Sequence, residues 1–120
     1  MFRGLAALVF CLVLAASATA GPALRVLKTA RSSGDFAVTS LSASKDRTQA
    51  LYIRGYGRGL SGFAVVACSK GFSSIGSRST QLNSMSSGRL YRLRLPFRGG
   101  DCDVTASLSG SGSIKLQVLG

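Results

Sequence analysis

The sequence contains no histidine, no glutamate and no tryptophan, and its only acidic residues are four aspartates. Most hydrolases need a base that titrates near neutral pH, usually histidine, or two carboxylates in different environments. The missing histidine excludes Ser-His-Asp and Cys-His catalytic sites and histidine-containing zinc sites. Abundant serine leaves serine–lysine chemistry open, but no motif indicates it. We therefore expect a protein that is not an enzyme and that binds no cofactor.

Asp101 and Asp103 are the only closely spaced acidic pair. On a strand, residues two apart project from the same face, where two carboxylates could ligate calcium or act as paired catalytic groups. Solvated side chains that flank a turn and pair with nearby arginines are the simpler interpretation. We accordingly predict no metal site and no catalytic residue.

Residues 1–20 have the layout of a secretory signal peptide. Arg3 supplies a positive charge, and residues 5–16 are almost continuously apolar. Ala18-Thr19-Ala20 then places small residues at the positions that signal peptidase recognises. The pattern predicts cleavage before Gly21 and a secreted protein, either extracellular or periplasmic.

Two other interpretations of this segment are weaker. A retained membrane anchor would need roughly 20 apolar residues, more than the segment offers. A lipoprotein signal would use Cys11, but the bulky Phe10 precedes it where a small residue is required. The rest of the chain has no apolar stretch long enough to cross a membrane, so we expect no transmembrane segment in the mature chain.

The predicted mature chain, residues 21–120, is long enough for one domain with its own core and too short for two. Loss of Arg3 lowers the formal net charge of +11 by one. So large a positive excess favours attraction to nucleic acid, anionic lipid or acidic cell-envelope polymers. Charge that serves only solubility is the alternative.

Cleavage would leave two cysteines, Cys68 and Cys102. An even number of cysteines in an exported chain predicts a disulfide. A two-thiolate metal site is the alternative, but it would lack histidine and would draw one cysteine from each half of the chain.

Short apolar segments, several with alternating polarity, are separated by Gly and Ser clusters every eight to twelve residues. This spacing is typical of a β-sandwich or barrel. We predict an all-β fold, a small antiparallel β-sandwich of seven or eight strands with one disulfide. The candidate strands are residues 23–28, 36–41, 49–54, 63–69, 81–85, 89–97, 101–108 and 113–119.

Three of these predictions are specific enough to test. Residues 101–108 and 113–119 both alternate, which predicts a hairpin around the Gly-containing segment between them. The continuous apolar run 63–69 predicts a central strand buried on both faces. The Ser-rich segment 71–87 is predicted to be a long loop with one irregular strand.

The most distinctive motif is Arg54-Gly55-Tyr56-Gly57-Arg58-Gly59, which follows a candidate strand. Glycines let the backbone approach a ligand, arginines bind acidic groups bidentately and tyrosine stacks on rings. Tyr52 adds a second aromatic ring. We take Arg54, Tyr56 and Arg58 as candidate ligand-binding residues, although a glycine-rich loop without a ligand has the same composition.

A second basic group follows in residues 89–98. Arg92 and Arg94 share one face of a strand, about 7 Å apart, and are further candidate ligand-binding residues. A solvated outer face, or charges that protect a sheet edge from aggregation, is the alternative. The two basic groups form one site only if the strand that ends at Arg54 lies beside the strand that contains Arg92.

Two functions remain. The first is a secreted, non-catalytic basic binding module for an anionic surface or polymer, such as cell envelope, acidic glycan or nucleic acid. The second is a secreted inhibitor or accessory protein that acts on another secreted protein through an exposed loop. Salt-dependent binding would favour the first, because cations that bind a polyanion release its counterions.

Overall fold

The structure is a computed structural model that describes residues 24–120, so the predicted signal peptide lies outside the described residues. Between residues 24 and 120 the chain is all-β, with no helix, and this confirms the predicted fold class. The strands are β1 (Val26–Lys45), β2 (Tyr52–Lys70), β3 (Ser73–Met85), β4 (Leu90–Arg92) and β5 (Asp101–Leu119).

These strands form one antiparallel sheet in the order β1-β5-β2-β3. The short β4 pairs with the beginning of β2, on the same edge as β3. The predicted two-sheet sandwich of seven or eight strands is thus replaced by one sheet of five. The count falls because neighbouring candidate strands are parts of single long strands.

The predicted hairpin is wrong for this reason. Residues 101–108 and 113–119 both belong to β5, which continues through the serines and glycines between them. Buried side chains keep the same parity throughout, from Leu108 through the glycines at 110 and 112 to Ile114. Gly112 has a φ of 76°, which lets the strand bend without reversing.

Irregularities in register also interrupt β1 and β2 at the same level of the sheet. β1 shifts between Gly34 and Ala37, and β2 shifts on both sides of Arg58. Such β-bulges bend a strand and increase its twist. They divide the sheet into two parts, which we call the terminal half (residues 26–34, 52–57, 90–92 and 111–119) and the disulfide half (residues 37–45, 60–70, 73–85 and 101–110).

The two halves bend toward a shared core at the glycines. A Cβ atom on Gly57 would lie 2.8 Å from Ile114 Cγ2 in the terminal half and 3.1 Å from Leu60 Cδ2 in the disulfide half. A Cβ on Gly110 would meet the same two side chains at 2.9–3.0 Å. The absence of side chains at these glycines therefore lets core residues of both halves pack together.

Two further predictions, for residues 63–69 and for residues 71–87, are wrong. Phe63 is 46% exposed and Ala67 is exposed, so the run 63–69 is central in the sheet but buried on only one face. The predicted loop 71–87 is mostly β3, which pairs with β2 in register. Its serine-rich part lacks an apolar alternation because none of the described residues in 73–81 is buried, so neither side of the strand needs apolar side chains there.

The predicted disulfide is confirmed. Cys68 and Cys102 are directly opposite in the β2–β5 pair, and both are 98% buried. The bridge therefore joins neighbouring strands of one sheet on its core side, next to Val66 and Val104. Residues 24–120 include no helix long and apolar enough to cross a membrane.

Candidate functional site

The glycine-rich motif lies inside β2 and is not a loop. β2 accommodates it through bulges, with Gly57 at a φ of 141° and Gly59 at 59°. Strand geometry therefore sorts the side chains: Ile53 is buried in the core, whereas Arg54 and Tyr56 lie on the outer face of the terminal half.

The register of β2 and β4 brings together the two basic groups that are far apart in sequence. Tyr52 is opposite Arg92, and Arg54 is opposite Leu90. Directly opposite residues in a sheet share a face, so Arg54 and Arg92 are diagonal neighbours, with Cα atoms about 7–8 Å apart. Both side chains therefore start from neighbouring positions on the outer face, although the Arg54 guanidinium itself extends toward β5.

Two cations that the sequence analysis did not select complete this surface. Arg31 of β1 is opposite Lys115 of β5, and Lys115 is also opposite Tyr56 of β2. We call the outer face formed by Arg31, Arg54, Tyr56, Arg92 and Lys115 the basic face. The alternation around Lys115 indicates an outward position, but sequence does not reveal which strands are neighbours.

Tyr56 has two cations and one turn beside its ring. Lys115 Nζ lies 4.3 Å from the ring centroid, and Arg54 Cζ lies 5.5 Å from it. Cations at these distances are attracted by the ring quadrupole. A Cβ on Gly88 would lie 3.5 Å from Tyr56 Cε1, so the β3–β4 turn also borders the ring. The Gly88 N–H donates to the Gly55 carbonyl at 2.8 Å, which holds this turn on β2.

Gln117 orients the Arg54 guanidinium. Arg54 Nε and Nη2 donate to Gln117 Oε1 at 3.1 and 2.8 Å. Gln117 Nε2 in turn donates to Thr29 Oγ1 at 3.5 Å, so the polar row crosses β2, β5 and β1. Because the glutamine is neutral, it fixes the guanidinium without cancelling its charge.

An open cleft of about 520 Å³ adjoins these residues. Its charged and aromatic lining comes from Arg31, Lys115 and Tyr56. Hydroxyl groups of Ser33 and Ser113 supply donors and acceptors beside them. The cleft therefore combines positive charge with hydrogen-bonding groups.

The structure places the remaining predicted residues at the margins of this surface. Arg94 follows β4, is exposed, flanks the buried Leu93 and lines a small cleft together with Arg92 and Arg98. Its backbone N–H donates to Thr80 Oγ1 at 3.3 Å. Arg58 is exposed at the bend, opposite Ser111, and does not line the cleft.

The aspartates lie outside the basic face. Asp101 and Asp103 are at the far end of the disulfide half, where Asp101 accepts the Arg47 N–H at 3.2 Å and Asp103 accepts the Ser44 hydroxyl. Asp35 is at the bend, and Asp46 follows β1. Between residues 24 and 120 there is no cluster of three or more His, Cys, Asp or Glu side chains that could hold a metal ion.

No protein-family model matches the chain, and no curated protein is similar enough to be matched to it.

Proposed function

We propose that this protein is a secreted, non-catalytic binding module for an anionic surface or polymer, and that the basic face is its binding site. The observation that carries the proposal is the β2–β4 register, which sets Arg92 opposite Tyr52 and diagonal to Arg54. Guanidinium groups from separate parts of the chain thereby face one side of the sheet, and Arg94 continues the group beyond β4.

Electrostatics supports this assignment. Like charges on neighbouring strands repel one another, and each such pair costs part of a kcal/mol. The described aspartates all lie elsewhere, so no described carboxylate offsets this repulsion within the basic face. An anionic partner would do so, whereas cations needed only for solubility could be spread over the surface at little cost.

Secretion is part of the same proposal. The buried disulfide suits an oxidising compartment, where such bonds persist. The N-terminal segment has the layout of a signal peptide. A basic exported protein would meet acidic cell-envelope polymers at its site of action.

Retention on immobilised sulfated and phosphorylated polymers at low and high salt tests the proposal. We expect retention at low salt, and we expect Arg54→Ser with Arg92→Ser to weaken it and to flatten its salt dependence, because fewer counterions are released. The matched control is Lys70→Ser with Arg78→Ser, which removes the same charge from the disulfide half. Equal losses in both variants would show a dependence on net charge alone and would contradict the proposed site.

A second function is favoured by one specific observation. Phe72 is fully exposed in the two-residue turn between β2 and β3, and Phe36 is 84% exposed. Exposed aromatic side chains are enriched at protein interfaces. An inhibitor or accessory protein would use this turn to bind another secreted protein, in a stoichiometric complex that tolerates salt and is lost in Phe72→Ser.

A further inference from the structure

Four cations cross the terminal half diagonally, one on each of four neighbouring strands. Arg31 of β1 is opposite Lys115 of β5. Arg54 of β2 is opposite Gln117, which is two residues after Lys115 on the outer face of β5. Arg92 of β4 is opposite Tyr52, which is two residues before Arg54 on the outer face of β2. We call Arg31, Lys115, Arg54 and Arg92 the cationic diagonal.

The cationic diagonal is too long for a small anion. From the usual spacing of strands and residues, successive Cα atoms along it are about 5–8 Å apart, and its ends are about 20 Å apart. A single phosphate or carboxylate could contact two of these groups at most. An extended chain with charges at regular intervals could contact all four.

The environment of Tyr56 bears on the choice between two kinds of extended polyanion. Proteins that bind single-stranded nucleic acid present aromatic rings on which bases stack. The Tyr56 ring instead has Lys115 Nζ at 4.3 Å and Arg54 Cζ at 5.5 Å, and Gly88 borders it. These cations would compete with a base for the Tyr56 ring.

The polar groups beside the cations suit sugar hydroxyls. Thr29 and Ser33 of β1 are exposed on the same face as Arg31, and Ser113 of β5 is opposite Ser33. Their hydroxyls donate and accept hydrogen bonds, as the hydroxyls of a sugar do. Carboxylates would meet the cations, and guanidinium binds carboxylate in a planar, bidentate geometry.

We infer that the basic face binds a linear acidic polysaccharide with carboxylates on its sugar units, laid along the cationic diagonal from β1 to β4. This inference rests on the proposed function and narrows it to one class of polymer. It also assigns binding roles to Arg31 and Lys115, which are separated by most of the chain.

Comparison of two polymers tests the ligand class. The folded, oxidised protein is titrated with polygalacturonate oligomers of increasing length and with oligothymidylates of equal charge. We expect tighter binding of polygalacturonate, and an affinity that rises with length until the oligomer spans the diagonal. Tighter binding of oligothymidylate would overturn this inference and leave the proposed function standing, whereas binding of no polyanion, including the sulfated and phosphorylated polymers, would overturn both.

Three double variants test the diagonal. Arg31→Ser with Lys115→Ser should lower polygalacturonate affinity by about tenfold at low salt and reduce the salt slope by roughly 1.4, if the slope per charge resembles that of a single-stranded polyanion. Lys70→Ser with Arg78→Ser, which removes the same charge, should have a much smaller effect. Equal effects would overturn the assignment of Arg31 and Lys115. Exchange of the two cations, Arg31→Lys with Lys115→Arg, should retain most of the affinity, because both positive charges remain.

Discussion

Cys68 lies directly opposite Cys102 across the β2–β5 pair, with 4.0 Å between their Cα atoms. The bond closes a loop whose ends are 34 residues apart in sequence. On the chain-entropy estimate, Cys68→Ala with Cys102→Ala should lower the free energy of unfolding by about 3–4 kcal/mol. Denaturant unfolding of both proteins measures the difference.

Thiol chemistry provides an independent check on the disulfide. Both sulfurs lie on the buried side of the sheet, so the native protein should not react with an alkylating reagent unless it is first reduced and unfolded. Rapid labelling of either cysteine in the native, non-reduced protein would contradict the bridge.

Gly62 lies against the backbone of β5, which gives a second stability prediction. A Cβ at this position would overlap the carbonyl oxygen of Ser107 and would lie 3.0 Å from the Cα of Leu108. Backbone atoms cannot move aside without breaking the β2–β5 pairing. We expect Gly62→Ala to lower the free energy of unfolding by more than about 3 kcal/mol, measured by denaturant unfolding.

Gly112 offers a matched control. Its φ of 76° is left-handed, but nothing lies within 4 Å of a Cβ added there. Asparagine tolerates this conformation better than most residues, so Gly112→Asn should cost only about 1 kcal/mol. A comparable loss in the two variants would show that contact with β5 is not the reason for Gly62.

Alternation in the sequence correctly predicts which side is buried at the beginning of β2 and along β5. Ile53 of β2 and Leu51, which immediately precedes β2, are fully buried, as are Val104 and Ala106 of β5 at 1% exposure or less. The rule works because a period of two places every second side chain on the core. It applies to short stretches of chain and needs no knowledge of the neighbouring strands.

Strand length could not be predicted from the same pattern. Gly57 and Gly112 resemble turn residues in sequence, yet both continue long strands at positive φ. A glycine permits a turn and a bulge equally well, and packing between the two halves decides which forms. The hairpin between residues 101 and 119 was therefore predicted where β5 only bends.

The residues of the candidate site could likewise be predicted only in part. Arg54, Tyr56 and Arg92 were selected from residue type and parity, and the structure brings them onto one face. Arg31 and Lys115 were missed because their importance depends on β5 lying between β1 and β2. Such long-range strand order leaves no local signal in one sequence.

Tyr91 provides a prediction about pH. The backbone N–H of Ser86 donates to its hydroxyl oxygen at 2.8 Å, and this hydrogen bond lowers the pKa of Tyr91 below its ordinary value. Arg89 adds to the effect, with its Cζ 5.5 Å from the ring centroid. The difference in tyrosinate absorbance between the native protein and Tyr91→Phe should titrate below the midpoint of a free tyrosine.

The sign of the effect on stability follows from this pKa. A phenol with a lower pKa in the folded state contributes stability above its unfolded pKa of about 10, and that contribution is lost as pH falls through the folded pKa. Tyr91→Phe should therefore lose more stability at alkaline than at neutral pH. A mutational effect that is independent of pH over this range would contradict the role of the Ser86 hydrogen bond.

The N-terminal segment gives a prediction that mass spectrometry can check. Ala18 and Ala20 occupy the positions that signal peptidase recognises, so the exported protein should begin at Gly21. The intact mass of protein recovered outside the cytoplasm measures this directly. A mass that includes Met1 to Ala20 would contradict cleavage, and a lipid adduct on Cys11 would indicate a lipoprotein instead.

Arg31 of β1 is directly opposite Lys115 of the neighbouring strand β5. We therefore expect substitutions that remove the charge of Arg31 to raise stability and to lower affinity for the polyanion. Arg31→Gln removes a repulsion between like charges, and Arg31→Glu replaces it with an attraction. Each step should raise the free energy of unfolding by at most about 1 kcal/mol, because the position is exposed. We expect stability to rise from arginine through glutamine to glutamate, and affinity for polygalacturonate to fall in the same order. Denaturant unfolding and titration of the same three proteins measure both quantities.

The stability differences should shrink at high salt, because exposed charges are screened. Lower stability of Arg31→Glu at low salt would contradict a repulsion between Arg31 and Lys115 and, with it, the proposal that this face is an anion-binding site.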